Sequence, residues 1–295
     1  MAVDTRRGSW LLAEPLIAAL LWGGVFAAAK IGLREIPLLS FIAARLLIAT
    51  ALLLLIAGGA GWLRGARPRW RDLVGAGLAQ TSFQLMLLIG IAQTSAALSA
   101  ILLATAPLLT AAWLGITGKE RLVGRQWLGL GLGLAGVVLL VGADGLSGSG
   151  TIVGNLVAFG AAVTWAWYGL AIGPLARSIG AVPASAATVG MAALVLLPFG
   201  LSQASTVDWS QISPGAWAGL LYGAILGLVA ATALWVRSVQ RYGTQVTMNY
   251  GYVEPVAAII IAAVLLGELL RPVQGVGAVL ALLGVYLAST PPKRS

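Results

Sequence analysis

The chain has 295 residues, 59% of them hydrophobic and 9% charged, with a net charge of +9 and a mean hydropathy of +0.95. Soluble domains carry about a quarter charged residues, so this composition excludes a water-facing globule. With neither His nor Cys, zinc centres, thiol nucleophiles, disulfides and Ser-His-Asp triads are excluded as well, and the cations stand between apolar blocks instead of on a nucleic-acid-binding face.

A bilayer span takes about 20 apolar residues. Blocks of that kind fall near 10–32, 38–57, 72–92, 96–117, 124–142, 152–173, 183–202, 214–236, 244–266 and 273–289, which predicts an all-α membrane protein with ten transmembrane helices. The first block has the outline of a signal peptide: Arg6 and Arg7, an apolar run, then Ala27-Ala28-Ala29. Glu14-Pro15 interrupts that run, and the run is too long for a signal core, so it reads as a retained span. Pro37, Pro174 and Pro183 are expected to flank helices, and 143–151 to link two halves.

Ten spans put both termini on one side. Arg6, Arg7, Arg64, Arg67, Arg69, Arg71, Lys119, Arg121, Arg125, Arg177, Arg237, Arg241, Lys293 and Arg294 then share that side, against Lys30, Arg34 and Arg271 opposite, with Arg45 inside a span. This bias predicts cytoplasmic termini. Trp10, Trp62, Trp70, Trp127, Trp209 and Trp217 fall at span ends, as an interfacial belt requires.

The chain also resembles itself. At an offset of 148, Ala106-Pro107 falls on Glu254-Pro255, Glu120 on Glu268, Gly129 on Gly277 and Gly136-Val137 on Gly284-Val285; at 143, Trp22 falls on Trp165 and Arg34 on Arg177. Two five-helix repeats, 1–145 and 146–295, are expected. Five is odd, so the copies insert with opposite orientation around a central cavity, an arrangement suited to alternating access.

Trp22-Gly23-Gly24-Val25-Phe26-Ala27-Ala28-Ala29-Lys30, Ala43-Ala44-Arg45-Leu46-Leu47, Lys119-Glu120-Arg121-Leu122 with Gln126-Trp127-Leu128-Gly129, Glu254-Pro255-Val256 and Leu266-Gly267-Glu268 together resemble the drug/metabolite transporter superfamily in its EamA-type branch. Within it, the chain is similar to bacterial exporters of aromatic and other neutral amino acids. The resemblance covers nearly the whole chain. It implies a ten-helix basket in the bacterial inner membrane, its cavity lined mainly by helices 1, 3, 4, 6, 8 and 9.

Gly131-Leu132-Gly133-Leu134-Ala135-Gly136 matches the dinucleotide fingerprint, but that motif works only between a strand and a helix. Inside an apolar span, glycines four apart serve close helix packing. Glu14 is close enough to the interface to reach it, and Lys30 can snorkel. Arg45 is about 12 Å along its helix at 1.5 Å per residue, which fits a structural anchor or a functional cation equally. Glu254 is the deepest carboxylate. Pro255 frees the carbonyl of Gly251, and Pro107 that of Leu103, so both are expected to break their helices. The candidate substrate-binding group is Trp22, Gln80, Gln84, Trp165, Tyr168, Asn249, Tyr252 and Glu254: aromatic walls that attract an ammonium and amides that need partners.

These features predict a secondary transporter exporting amino acids or similar small metabolites by alternating access. Uniport is expected, because no second intramembrane carboxylate or His completes a proton relay. No cofactor is implied, no nucleotide-binding motif is present, and the expected partners are a small-molecule substrate and the lipid bilayer, with no nucleic acid and no required protein. A carrier of drugs, cations or sugars on the same fold is the nearest alternative. An intramembrane enzyme is the second, with only Glu254, Glu14 or a hydroxyl to act as base.

Overall fold

A computed structural model describes residues 13–58, 69–145 and 152–289. The expectations for Arg6, Arg7, Trp10, Trp62, Arg64, Arg67, Lys293, Arg294 and the greater part of the linker, 146–151, lie outside the described residues. Ten helices are long and apolar enough to cross a membrane: α1 (Ala13–Gly32), α2 (Leu38–Ile56), α3 (Trp70–Gln93), α4 (Ala96–Ile116), α5 (Gly124–Gly142), α6 (Ile152–Ile179), α7 (Ala181–Ala204), α8 (Pro214–Tyr242), α9 (Val246–Leu266) and α10 (Pro272–Ser289). In hydrocarbon every backbone group must be satisfied within the segment, and Ala and Leu, which dominate these stretches, are the residues that do so at least cost.

Two prolines correct the sequence reading. Pro174 lies inside α6, which runs on to Ile179, and Pro183 lies inside α7. Pro183 occupies the first turn, whose N–H groups have no helical partner in any case. Pro174 stands five residues before the end of its helix, where its missing N–H leaves the Leu170 carbonyl without its helical partner. Pro37, by contrast, is the N-cap of α2.

Three spans are irregular. The fourth is two helices, Ala96–Leu103 and Ala106–Ile116, with Pro107 at the start of the second. In the ninth, Thr244–Asn249 gives way to a 3-10 turn at Tyr250–Tyr252 before the α-helix resumes at Val253, two residues ahead of Pro255. In α8, Tyr222–Ala231 is π-helical between two α segments. No proline marks that segment.

α5 and α10 meet through glycine. A Cβ on Gly129 would stand 2.7 Å from the Gly284 carbonyl, and one on Gly136 would stand 2.7 Å from that of Gly277. Rising numbers on one helix meet falling numbers on the other, so the pair is antiparallel. The offset of 148 carries the first contact onto the second. The principal helix pairings behave alike when each helix is exchanged for the one five places away: α3–α6 becomes α8–α1, α1–α9 becomes α6–α4, α3–α7 becomes α8–α2, and α2–α7 and α5–α10 map onto themselves. The largest apolar core, including Phe26, Phe41, Leu88, Ala100, Ala162, Val189, Leu220 and Ala258, draws on every span except α5 and α10.

Candidate functional site

The candidate residues occupy four places. Trp22 is half-buried on α1, donates from Nε1 to the Gly227 carbonyl at 3.0 Å, and tilts against Trp235 with ring centroids 5.0 Å apart. The next two residues must be small. A Cβ on Gly23 would lie 2.8 Å from the Glu254 carbonyl and 2.7 Å from Ala257 Cβ, while Gly24 backs onto the Tyr222 ring, whose hydroxyl donates to the Leu21 carbonyl at 3.1 Å. The Trp-Gly-Gly run therefore wedges α1 between α8 and the break in α9.

Trp165 packs between Phe83, 4.5 Å away, and Tyr168, 5.3 Å away. It keeps 36% of its surface exposed. Tyr168 is buried, its hydroxyl 3.2 Å from Thr188 Oγ1. Trp22 thus packs on α8 through Trp235, and Trp165 on α3 through Phe83.

Gln80 and Gln84 share a buried face of α3. Gln84 Oε1 accepts from Arg45 Nη2, and the Arg45 stem lies against Gly223 in the π segment of α8. At the break in α9, Tyr252 meets Tyr286 edge-on at 6.4 Å, Asn249 is exposed, and Glu254 is half-buried. An apolar groove of about 590 Å³ is lined by α1, α8 and α9 through residues such as Ala28, Gly219, Tyr222 and Ile261, and none of the candidate residues lines it.

Polar ties close the bundle unequally at its two ends. At one end Lys30 does not snorkel freely. Its Nζ donates to the Thr94 carbonyl and stands 3.9 Å from Glu268. Glu268 Oε2 accepts from the amides of Ala96 at 2.7 Å and Ala97 at 3.5 Å, and Thr94 Oγ1 meets Asn155 Oδ1 at 2.5 Å. Gly267, with φ of 69°, ends α9 in the left-handed conformation that turns Glu268 back toward α4. Beside this closure Ser213, by its hydroxyl and its N–H, donates to Glu35 at 2.6 and 2.7 Å, holding the Glu35 carboxyl below its ordinary range.

At the other end Glu14 bridges Arg237 at 3.0 Å and Arg241 at 2.9 Å. Glu120, which the offset of 148 pairs with Glu268, is exposed there. Arg177 folds back so that Nη1 lies 3.4 Å from a Cβ placed on Gly173, the position that the offset of 143 assigns to Lys30. Trp235, Phe83, Thr188 and the Lys30–Glu268 closure were not legible as site residues. Trp235 carries the clearest signal, since it shares the amphipathic end of α8 with Arg237 and Arg241.

Ten apolar spans, broken at mid-depth in α4 and α9 and tied by ionic groups at both ends, define a multi-pass membrane protein of the transporter class. The model of the EamA-like transporter family matches residues 8–142 and again 152–290, and the chain belongs to that family. Among similar proteins, the "Uncharacterized inner membrane transporter YedA" of Escherichia coli K12 is 27% identical over 94% of both chains. A "Probable terminal-alkyne amino-acid exporter" of Streptantibioticus cattleyicolor is 27% identical over 98% of this chain and 99% of its own. One crystal structure shares the fold with a TM-score of 0.61 and 20% identity, covering 95% of this chain and 97% of that one.

Proposed function

We propose that the protein is a secondary transporter that exports amino acids or similar small metabolites across the bacterial inner membrane by alternating access, with both termini cytoplasmic. The reading rests chiefly on one observation: exchanging α1–α5 for α6–α10 maps the helix pairings onto themselves, while the polar closures at the two ends differ. Two inverted units, 1–145 and 146–295, would have this property, and exchanging their conformations moves the closure from one end to the other. In the present conformer the Lys30–Glu268 end is tied across α1, α4, α6 and α9. In the alternate conformer, Glu120 and Arg177 take the places of Glu268 and Lys30. Among the relatives, one is named an inner membrane transporter and another a probable amino-acid exporter, which supports the inner membrane and an amino-acid cargo.

The substrate contacts are Trp22 and Trp165 with Tyr168, Gln80, Gln84, Asn249, Tyr252 and Glu254, reached when the halves rock, and Pro107 and Pro255 supply the bends. Transport is uniport. The test is efflux of radiolabelled tryptophan, phenylalanine and alanine from liposomes holding the purified protein, under a solute gradient with and without a pH gradient. Trp22→Ala and Trp165→Ala are expected to slow both substrates, because each indole offers about 0.5–2 kcal/mol to their common ammonium, and tryptophan more than alanine, because its ring also loses an aromatic contact of about 0.5–1.5 kcal/mol. Flux is expected to follow the solute gradient and survive Glu254→Gln. Steep dependence on the pH gradient, lost in Glu254→Gln, would replace uniport by proton coupling.

A further inference from the structure

We infer that Arg45, together with Gln80 and Gln84, is a carboxylate-binding site at mid-depth in the bundle. The inference rests on the transport reading above and names the chemical group by which the cargo is held. Arg45 is 1% exposed, Gln80 3% and Gln84 0%. A buried guanidinium needs hydrogen bonds for its donors and an anion for its charge. Arg45 has one hydrogen bond, from Nη2 to Gln84 Oε1, while Nε and Nη1 are buried without partners. The ion pairs among the described residues lie at the two ends of the bundle and leave Arg45 out. An arginine serving only as a tie between helices would spread its donors over neighbouring carbonyls, and this one does not.

The surroundings are orphaned in a complementary way. Gln84 Nε2 is a buried donor without an acceptor, and Gln80 Oε1, one turn away on the same face, is a buried acceptor without a donor. Either edge of the guanidinium offers two N–H groups to the two oxygens of a carboxylate. Engaging them exchanges the neutral Gln84 carbonyl for a charged acceptor and lets Gln84 Nε2 donate to the same anion. Gln80 Oε1 is then the acceptor that suits an ammonium N–H of the same ligand. A zwitterionic amino acid satisfies all three side chains.

Access lies on the α8 side. A Cβ on Gly223 would stand 3.0 Å from Arg45 Cδ, so glycine is what lets the arginine lie against this helix. Gly223 sits within the π segment Tyr222–Ala231. A π stretch is a slip in hydrogen-bond register, frequently found at functional sites, and its return to α register turns this face relative to α2 and α3 and uncovers the guanidinium.

The experiment uses the full chain in liposomes and in detergent, with a panel of neutral amino acids, the matching amino-acid amides, and phenethylamine as a ligand lacking the carboxyl group. Wild-type protein is expected to move the acids faster than the amides by about tenfold or more, the loss of one charged hydrogen bond. The acids and not the amides should raise the unfolding temperature in detergent. Arg45→Met is expected to erase the acid-over-amide preference, and Arg45→Lys to retain part of it. Equal movement of acids and amides by wild-type protein overturns the inference, as does a folded Arg45→Met that keeps the preference. Should Arg45→Met fail to fold, Gln84→Ala and the wild-type comparison decide alone. Absence of flux for every ligand sinks the transport reading, and the selective rise in unfolding temperature still decides for or against the carboxylate site.

Discussion

The informative glycines are those where a neighbouring backbone stands in the place of a side chain. At Gly136 a Cβ would meet the Ala281 amide nitrogen at 2.5 Å and the Gly277 carbonyl at 2.7 Å, and neither can rotate away as a side chain would. Gly136→Ala is expected to lower stability by about 1–3 kcal/mol, the usual cost of overpacking. Gly131 lies on the same helix with nothing within 4 Å of its Cβ position, so Gly131→Ala should be neutral or gain up to about 1 kcal/mol of helix propensity. Thermal unfolding in detergent reads both. Glu35 is a second case decided by a neighbouring residue. Its carboxyl is held low first by the Ser213 hydroxyl and then by the Ser213 N–H. The folded pKa lies below the unfolded one, so this cap contributes above the ordinary carboxylate range and is lost as pH falls through the lowered value. Ser213→Ala is expected to raise the Glu35 pKa, as a carboxyl-carbon NMR titration would show; an unmoved titration contradicts the assignment.

Among the helices, what was legible in the sequence is what the bilayer itself demands. Ten spans follow from hydrophobic length alone, and close packing at the α5 glycines from their spacing, whereas the choice of α10 as partner was not legible. The π segment of α8 was not legible, because a slip in backbone register changes no residue type. Nor was the passage of α6 through Pro174, since packing against neighbours decides whether a proline ends a helix. Among the candidate site residues, Trp22 and Trp165 were legible as deep aromatic groups paired by the offset of 143, but their partners Trp235 and Phe83 were not, because those contacts depend on how α8 and α3 cross. Arg45 was legible as a deep cation. Its pairing with Gln84 required the crossing of α2 and α3. The breaks in α4 and α9 yield a prediction of their own. Pro107→Ala and Pro255→Ala restore the missing N–H and are expected to raise the unfolding temperature. They should also slow flux by about tenfold, the effect of about 1.4 kcal/mol of added barrier, if bending at these breaks accompanies transport. Faster flux in either variant would show that the breaks do not serve it.

For the whole molecule, the natural absence of cysteine makes alternation directly testable. Lys30→Cys with Glu268→Cys, and Glu120→Cys with Arg177→Cys, each place one pair at one end. Oxidative cross-linking of the first pair is expected to prevent cross-linking of the second, and each is expected to stop transport. If both bridges form in one molecule, the two ends do not alternate. On this reading solute crosses by a carrier whose site is exposed to one side at a time. Counterflow measures this: liposomes are loaded with an unlabelled neutral amino acid at high concentration, diluted, and offered the labelled form outside. A carrier of this kind produces a transient accumulation of label above its equilibrium level that decays as the internal pool runs down. Folded protein that gives no overshoot with any of the amino acids, or a monotonic rise to equilibrium as through a pore, would contradict it.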